Sequence, residues 1–424
     1  MNKDFAFLNR LFKAYYRENE KNIPAEDSLN AREFGFIPWN KEIMIRHMGF
    51  SSKENFVKYL INNAPRHVYS SGTLYKDPNN QIMEDKGYLG CDLIIDIDVD
   101  HFYTPCKEDH DFWECKECGE TGTGMIKKCP KCGKLKIKKI SWICDECLNV
   151  AKKEIFKLSD DFLKPDFGIK EEEMHIVFSG HRGYHLKVLN DKIRTLSSDG
   201  RREIADYLTG NNISFELLGL QKIGQNIFGL TRENLGWSQK IIRKIEEILK
   251  TYSNEELSVL LDGFNLNTDV VKSFINSKDY FINILSDNTK NLWNIEGFGL
   301  INWKKFLSGV INLIGAEIDE PVTIDIHRLI RYPETLHGKT GFKVSKLNLE
   351  LLDKFNPLKE SNPQIDPIIF ESQKNLHKIK IIESRVPMTS IKGENYGPYN
   401  KDEIIEVPNH IAVFLLSKGV ASLE

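Results

Sequence analysis

LIIDIDVD, residues 93–100, is the stretch whose reading decides the fold. Ile95, Ile97 and Val99 alternate with Asp96, Asp98 and Asp100. Side chains two apart on a strand share a face. The pattern therefore predicts a strand with one aliphatic face to bury and one face of stacked carboxylates. Like charges about 7 Å apart along a strand repel one another unless cations neutralise them. Two divalent ions about 3.5–4 Å apart, bridged by such carboxylates, are a recurrent arrangement for phosphoryl transfer. Taken alone, so short a pattern fits a solvated acidic strand edge better.

Working outward, residues 88–102 read as one strand around this core. HIVF at 175–178 and YHLKVL at 184–189 read as two more, joined by the turn SGHRG. VTIDI at 322–326 repeats the acidic design: Val322, Ile324 and Ile326 form one face, and Thr323, Asp325 and His327 the other. Asp325 is a third carboxylate for the same ions if the two strands are neighbours. The strand pattern continues at 341–349, before a proline-punctuated linker at 356–367. Between roughly 199 and 315 the pattern is helical. Ser238 is expected to cap a helix carrying Ile241, Ile242, Ile245, Ile248 and Leu249 on one face, and Asn254 to cap the next. Near the N-terminus, Ser51 and Glu54 predict a capping box opening a helix to about residue 64. Strand-rich flanks around a helical middle predict an α/β (α+β) domain with a helical insertion.

Eight cysteines lie between residues 91 and 147 and none elsewhere. Cys115-x-x-Cys118-Gly and Cys129-Pro-x-Cys132-Gly form a zinc-ribbon pattern, in which each turn offers two thiolates to one tetrahedral ion. Cys106, His110, Cys144 and Cys147 remain as a second set. Spacing alone also permits Cys106/His110/Cys115/Cys118 with Cys129/Cys132/Cys144/Cys147; two ions are expected either way. Four-ligand sites are closed and structural, so catalysis is sought elsewhere. Cys91 lies within the strand pattern and reads as a core residue. KKCPKCGKLKIKK at 127–139 has seven lysines and no acid. On a rigid knuckle such a run suits the backbone of a nucleic acid, although most charge runs are only solvated faces.

Basic groups cluster in two further places. Ser179, His181, Arg182 and His185 surround a tight glycine turn, where backbone can approach a phosphate closely and an arginine fork can bind its oxygens. Arg328, Arg331, His337 and Lys339 follow Asp325 in a loop marked by Pro333 and Gly338. Metal-binding acids would then adjoin triphosphate-binding bases.

The chain of 424 residues is long enough for two structural units. With 58 basic and 61 acidic residues the net charge is −3, which argues against coating nucleic acid by global positive charge. Residues 1–20 are charged throughout and lack a signal-peptide core. The longest apolar run, HIAVFLL at 410–416, is far short of the roughly 20 residues a membrane helix needs. A cytoplasmic protein without a membrane partner is expected, where clustered thiols serve metals before disulfides.

In order, REFGF (32–36), DIDVD (96–100), the Cys/His region, SGHRGYH (179–185) and TIDIHRLIRYPETLHGKTG (323–341) resemble the motif series of the small catalytic subunit of archaeal and eukaryotic DNA primase. The archaeal members look closest. The resemblance covers about 31–102, 144–190 and 322–344. It implies a prim-type mixed α/β catalytic domain with an inserted helical subdomain. Residues 1–198 would be its first part, with a zinc-binding insertion at 106–147. Residues 199–315 would be the helical subdomain, 316–385 the second part and 386–424 a C-terminal segment. It implies that Asp96, Asp98 and Asp325 hold two Mg²⁺ or Mn²⁺ ions. Ser179, Arg182, His185, Arg331 and His337 would hold the incoming nucleoside triphosphate, with Arg46 beside them. The family's zinc knot corresponds to Cys106, His110, Cys144 and Cys147, leaving Cys115, Cys118, Cys129 and Cys132 as an extra ribbon.

The implied activity is template-directed synthesis of short primers on single-stranded DNA by two-metal-ion nucleotidyl transfer, with an iron–sulfur large subunit as heterodimeric partner. A primase-polymerase of the same superfamily, working in end repair or damage tolerance, is the alternative. A zinc-ribbon nucleic-acid binder would leave the carboxylates unexplained, and a metal-dependent nuclease would release nucleotides rather than consume triphosphates.

Overall fold

The acidic stretch is a strand, but a shorter one than the pattern predicts, and its two ends organise the chain. The computed structural model describes residues 2–287, 291–372 and 374–424. One unit gathers the residues up to Ser159 with Ile169–Arg202 and Ile318–Glu424; the other is Asp160–Gly168 with Glu203–Glu317. In the first unit, β1 (Arg32–Ile37), β2 (Ile45–Met48), β3 (His67–Tyr75) and β4 (Tyr88–Cys91) build one sheet, and β5 (Leu93–Asp98) opens another. The cysteine-rich insertion makes its own small sheet from β6 (Phe112–Cys115), β7 (Thr121–Thr123) and β8 (Ile137–Ile140). Next come β9 (Met174–Phe178) and β10 (Gly183–Val188), then β11 (Gln221–Ile223) and β12 (Asn226–Phe228) in the other unit. Then come β13 (Leu329–Arg331) and β14 (Lys346–Leu347), and further short strands between Leu376 and Leu423 form small sheets of their own. The first sheet runs β13-β3-β1-β2, with β4 also on β3; the second runs β14-β9-β10-β5, and both are antiparallel.

The expected single strand over 88–102 is two strands in two sheets. The chain crosses between them at Asp92, which is fully buried. Its carboxylate accepts from Arg32 Nη2 at 2.7 Å and Arg194 Nε at 2.6 Å, and its N–H donates to Gly72 O at 3.0 Å. Beyond β5 the chain turns at once into a 3₁₀ turn, Val99–His101, so Asp100 is not on the strand. Within β5 the aliphatic face is as expected: Leu93, Ile95 and Ile97 are at most 1% exposed. They pair in register with the buried Val188, Leu186 and Tyr184 of β10.

Other local expectations are corrected. VTIDI is not a strand. Pro321 presets the helical angle in a short helix, Glu320–Ile324, and Asp325 follows at its C-cap. The strand forms later, at β13. Of residues 341–349 only Lys346 and Leu347 are extended into a ladder. Helix Lys53–Asn63 is capped by Ser52, not Ser51. Helix Trp237–Thr251 begins after Gly236, and Ser238 lies inside it, donating to Leu218 O.

The second unit is mainly helical, with Trp237–Thr251, Asn254–Gly263, Thr268–Asn276, Lys278–Ser286 and Leu300–Ile314. Its core is aromatic: Trp303 contacts Trp293 at 4.8 Å and Phe298 at 4.5 Å between ring centroids. Asn254 is the first residue of its helix, and the cap is Ser253. Ser253 Oγ accepts from Glu256 N, while Glu256 Oε2 accepts from Ser253 N at 2.8 Å. Ser253→Ala should therefore cost about 1 kcal/mol, and Asn254→Ala much less; urea denaturation of the two variants checks this.

Back in the first unit, helix Asn409–Lys418 is apolar on every side, and it is buried accordingly, with Ile411, Val413 and Phe414 each 1% exposed. No helix among the described residues is long and apolar enough to cross a membrane.

Candidate active site

The register of β5 on β10 places Asp96 opposite His185 and Asp98 opposite Gly183. Gly183 is required here, because a Cβ would lie 2.3 Å from Ile97 O. His185 Nδ1 and Asp96 Oδ1 are 2.7 Å apart, too poorly aligned for a hydrogen bond. Both atoms, and His185 Nε2, are buried without a hydrogen-bonding partner among the described residues. Asp98 Oδ1 accepts from Asp100 N at 2.9 Å. Burial, with Asp100 and Asp96 alongside, pushes the Asp98 carboxyl up to about 6. Carboxylate oxygens crowded on one face are hard donors suited to Mg²⁺ or Mn²⁺.

The bases arrive from two loops that grip each other. In 179–183, Ser179 N donates to Gly183 O at 3.0 Å, and Gly180 takes a φ of +82°. A side chain at Gly180 would meet His337 Cβ at 2.6 Å. Thr340 Oγ1 donates to Gly180 O at 2.6 Å, and the rings of His181 and His337 stack at 5.5 Å. Arg331 lies over the Tyr69 ring at 5.0 Å, with Nη1 2.8 Å from His67 Nδ1. Burial, reinforced by the charges of Arg331 and Lys339, holds His67, His181 and His337 well below the ordinary histidine range. All three are neutral at pH 7.

These groups line an open pocket of about 180 Å³, with Asp96, Asp98 and Asp100 on its acidic side and Arg331, His337, His181 and Lys339 on its basic side. Ser179 and His185 complete it, so six sequence-expected residues share one cavity: Asp96, Asp98, Ser179, His185, Arg331 and His337. Three others are placed differently. Asp325 is exposed on the turn after its helix, where it accepts from His327 N at 2.9 Å and faces Arg328 Nε at 3.4 Å; it is not part of the pocket lining. That turn is nonetheless close by, since Asp319 N donates to Asp96 O at 2.8 Å and Val322 lines the pocket. Arg46 pairs with Glu33 at 2.9 Å and donates to His327 O at 2.9 Å, holding the Asp325 turn rather than facing the cavity. Arg182 is 2% exposed and bonded to Asp111 and Asp100 beneath the pocket.

Several neighbours had no readable signal. Tyr69 supplies the aromatic face under Arg331. Lys418, from the C-terminal helix, is buried with Nζ 2.6 Å from His181 Nε2. Asp319 sits beside Asp96 and 3.8 Å from His101 Nε2, and burial followed by Asp96 raises its carboxyl.

The Cys/His region resolves into Cys106/His110/Cys144/Cys147 and Cys115/Cys118/Cys129/Cys132, each with ligand atoms within 4.8 Å of one another. Sγ–Sγ separations of 3.6 Å for Cys115–Cys132 and 3.7 Å for Cys118–Cys129 approach the edge of about 3.8 Å that a tetrahedron with 2.3 Å bonds requires. His110 turns Nε2 toward Cys144 at 3.2 Å and Nδ1 toward Asp111 at 2.9 Å, the usual carboxylate–histidine support of a ligand. On the ribbon, Lys131 and Lys136 pair with Glu120 and Glu117, and Lys138 meets Glu383. Lys127, Lys128, Lys134 and Lys139 are exposed.

The sequence profile of the DNA primase small subunit matches residues 128–347. A protein named DNA primase small subunit PriS from Methanocella arvoryzae is 30% identical, over 99% of this chain and 98% of its own length. The protein of the same name from Methanothrix thermoacetophila is 31% identical over 99% of both chains. The one from Cenarchaeum symbiosum is 30% identical over 99% of both.

Proposed function

The chain belongs to the DNA primase small subunit family, and on that premise we propose that the pocket between Asp96 and Arg331 makes short primers on single-stranded DNA by nucleotidyl transfer. The observation that carries the reading is the juxtaposition in one cavity of the carboxylates of Asp96 and Asp98 with phosphate-suited bases. Asp96 and Asp98 would hold two Mg²⁺ or Mn²⁺ ions, with Asp325 joining from its turn. Such ions, when bound, acidify the attacking 3′-hydroxyl and neutralise the leaving pyrophosphate. The protein's own share is charge and orientation. Arg331 and Lys339 would neutralise the triphosphate, while neutral His181 and His337, the His185 ring and the Ser179 hydroxyl would donate hydrogen bonds to it. Arg331 is held in place by the Tyr69 face and His67, so it loses little freedom on binding.

The two Cys/His centres are read as structural zinc sites. The partner would be the iron–sulfur large subunit. Label incorporation from nucleoside triphosphates on unprimed single-stranded DNA, with and without that subunit, tests the reading. Formation of a dinucleotide supports a primase. Extension of primed ends only would favour the repair polymerase, and nucleotide release a nuclease.

The exposed ribbon lysines give a separate expected result. Changing Lys127, Lys128, Lys134 and Lys139 together to glutamine should reduce the salt slope of template binding, by up to about 0.7 for each phosphate no longer neutralised. Binding isotherms between 50 and 200 mM salt measure it, and an unchanged slope would exclude the ribbon from the interface.

A further inference from the structure

Arg182 stands between the pocket and the first Cys/His centre and faces away from the pocket. Its Nη1 and Nη2 donate to the two oxygens of Asp111 at 2.7 and 2.6 Å, and Nη1 also donates to Trp142 O at 3.0 Å. The same guanidinium is bonded to Asp100. Asp100 N in turn donates to Asp98 Oδ1 at 2.9 Å, and Val99 N donates to Arg182 O at 3.3 Å. On the far side, Asp111 Oδ1 lies 2.9 Å from His110 Nδ1 and accepts from Trp142 N at 2.8 Å. His110 Nε2 lies 3.2 Å from Cys144 Sγ and 3.6 Å from Cys147 Sγ. An unbroken chain of polar contacts thus joins the Cys/His centre to the carboxylate strand.

We propose that Arg182 is a positioning residue and not a phosphate ligand: through Asp111 and Asp100 it couples the ion in the Cys106/His110/Cys144/Cys147 centre to the geometry of Asp98. The proposal rests on the reading of Asp96 and Asp98 as ligands of the catalytic ions. A ligating histidine is oriented by the partner of its other ring nitrogen, and here that partner is Asp111. A carboxylate this buried needs an opposing fork, which an arginine supplies in bidentate form and a lysine does not. The turn at Asp100 is pinned from below, and its N–H is the hydrogen bond that orients Asp98. Loss of the ion frees the His110 ring, leaves Asp111 with fewer partners and loosens the turn.

Manganese binding, followed by the electron paramagnetic resonance of free Mn²⁺ with the full chain, reads this without catalysis. Asp111→Asn and Cys144→Ser should each weaken Mn²⁺ binding about tenfold. The double variant should be no weaker than the weaker single, because both break one path. Chelation of the bound zinc from the unmodified chain should reproduce the loss, which covers the case in which Cys144→Ser fails to fold. Arg182→Lys should lower kcat about tenfold with KM for the nucleotide changed less than twofold. Unchanged Mn²⁺ affinity in Asp111→Asn and after chelation would overturn the coupling. So would an Arg182→Lys enzyme with raised KM and normal kcat, the signature of a phosphate ligand. If the unmodified chain incorporates no nucleotide, the functional reading fails, while the Mn²⁺ arms still judge the coupling.

Discussion

Asp96→Asn and Asp98→Asn each lower nucleotide incorporation by about a thousandfold or more, while zinc content and the thermal unfolding profile stay near those of the unmodified chain. A thousandfold is about 4 kcal/mol of transition-state stabilisation, a reasonable demand on one of the few charged ligands of a catalytic ion. Folding should be spared because neither carboxylate anchors the structure. Among the described residues Asp96 Oδ1 accepts no hydrogen bond, although it lies 2.7 Å from His185 Nδ1, and Asp98 accepts only a local bond from Asp100 N. Relieving crowded, half-buried acids is more apt to stabilise the strand than to weaken it. Incorporation assays beside metal analysis and calorimetry separate the two effects. Full activity in either variant would remove the carboxylates from the reaction.

The largest structural effect is expected one turn upstream. Asp92→Ala should cost about 3 kcal/mol, the low end of the range for breaking a buried ion pair. Asp92 has no exposure and holds two arginines where the chain passes from one sheet to the other. Its loss leaves Arg32 buried, but not wholly deserted. Arg32 keeps Ser71 O and Asp27 O at 2.8 Å and Glu26 at 3.4 Å, and Arg194 keeps Asp27 at 2.8 Å. Those residual partners hold the cost at the low end. Equilibrium denaturation in urea measures the loss, and Asp92→Asn, which retains an acceptor, should fall between the two. A loss below about 0.5 kcal/mol would mean that the corner is held by strand pairing alone.

These residues also show what could be read from the chain and what could not. Strand β5 was legible because its alternation is local: aliphatics every second residue admit one periodicity. The helical middle was legible for the same reason. VTIDI was not, because five β-branched and acidic residues satisfy a strand pattern while Pro321, one residue earlier, starts a helix. Asp92 read as one more strand residue; only its partners, Arg32 and Arg194, make it a corner. Asp96, Ser179, His185, Arg331 and His337, which line one pocket, were expected from residue type and from the strand and turns that carry them. Arg182 has the same local signature, a guanidinium in a glycine turn. What redirects it is Asp111, 71 positions away in an insertion, and no local pattern carries that. Tyr69 and Lys418 were invisible for the same reason: their roles come from sheet pairing and helix packing alone. The ligand grouping of the two Cys/His centres was likewise open to two pairings until side-chain proximity separated them.

The central claim is that one pocket holds the reacting metals against the triphosphate. The most direct measurement is an anomalous difference map from crystals soaked with Mn²⁺ and a non-hydrolysable nucleoside triphosphate. The expected map has two manganese peaks about 3.5–4 Å apart on Asp96 and Asp98, with Asp325 turned toward them and the triphosphate along Arg331, His337 and Ser179. Manganese bound away from those carboxylates, with the triphosphate outside this pocket, would contradict the account.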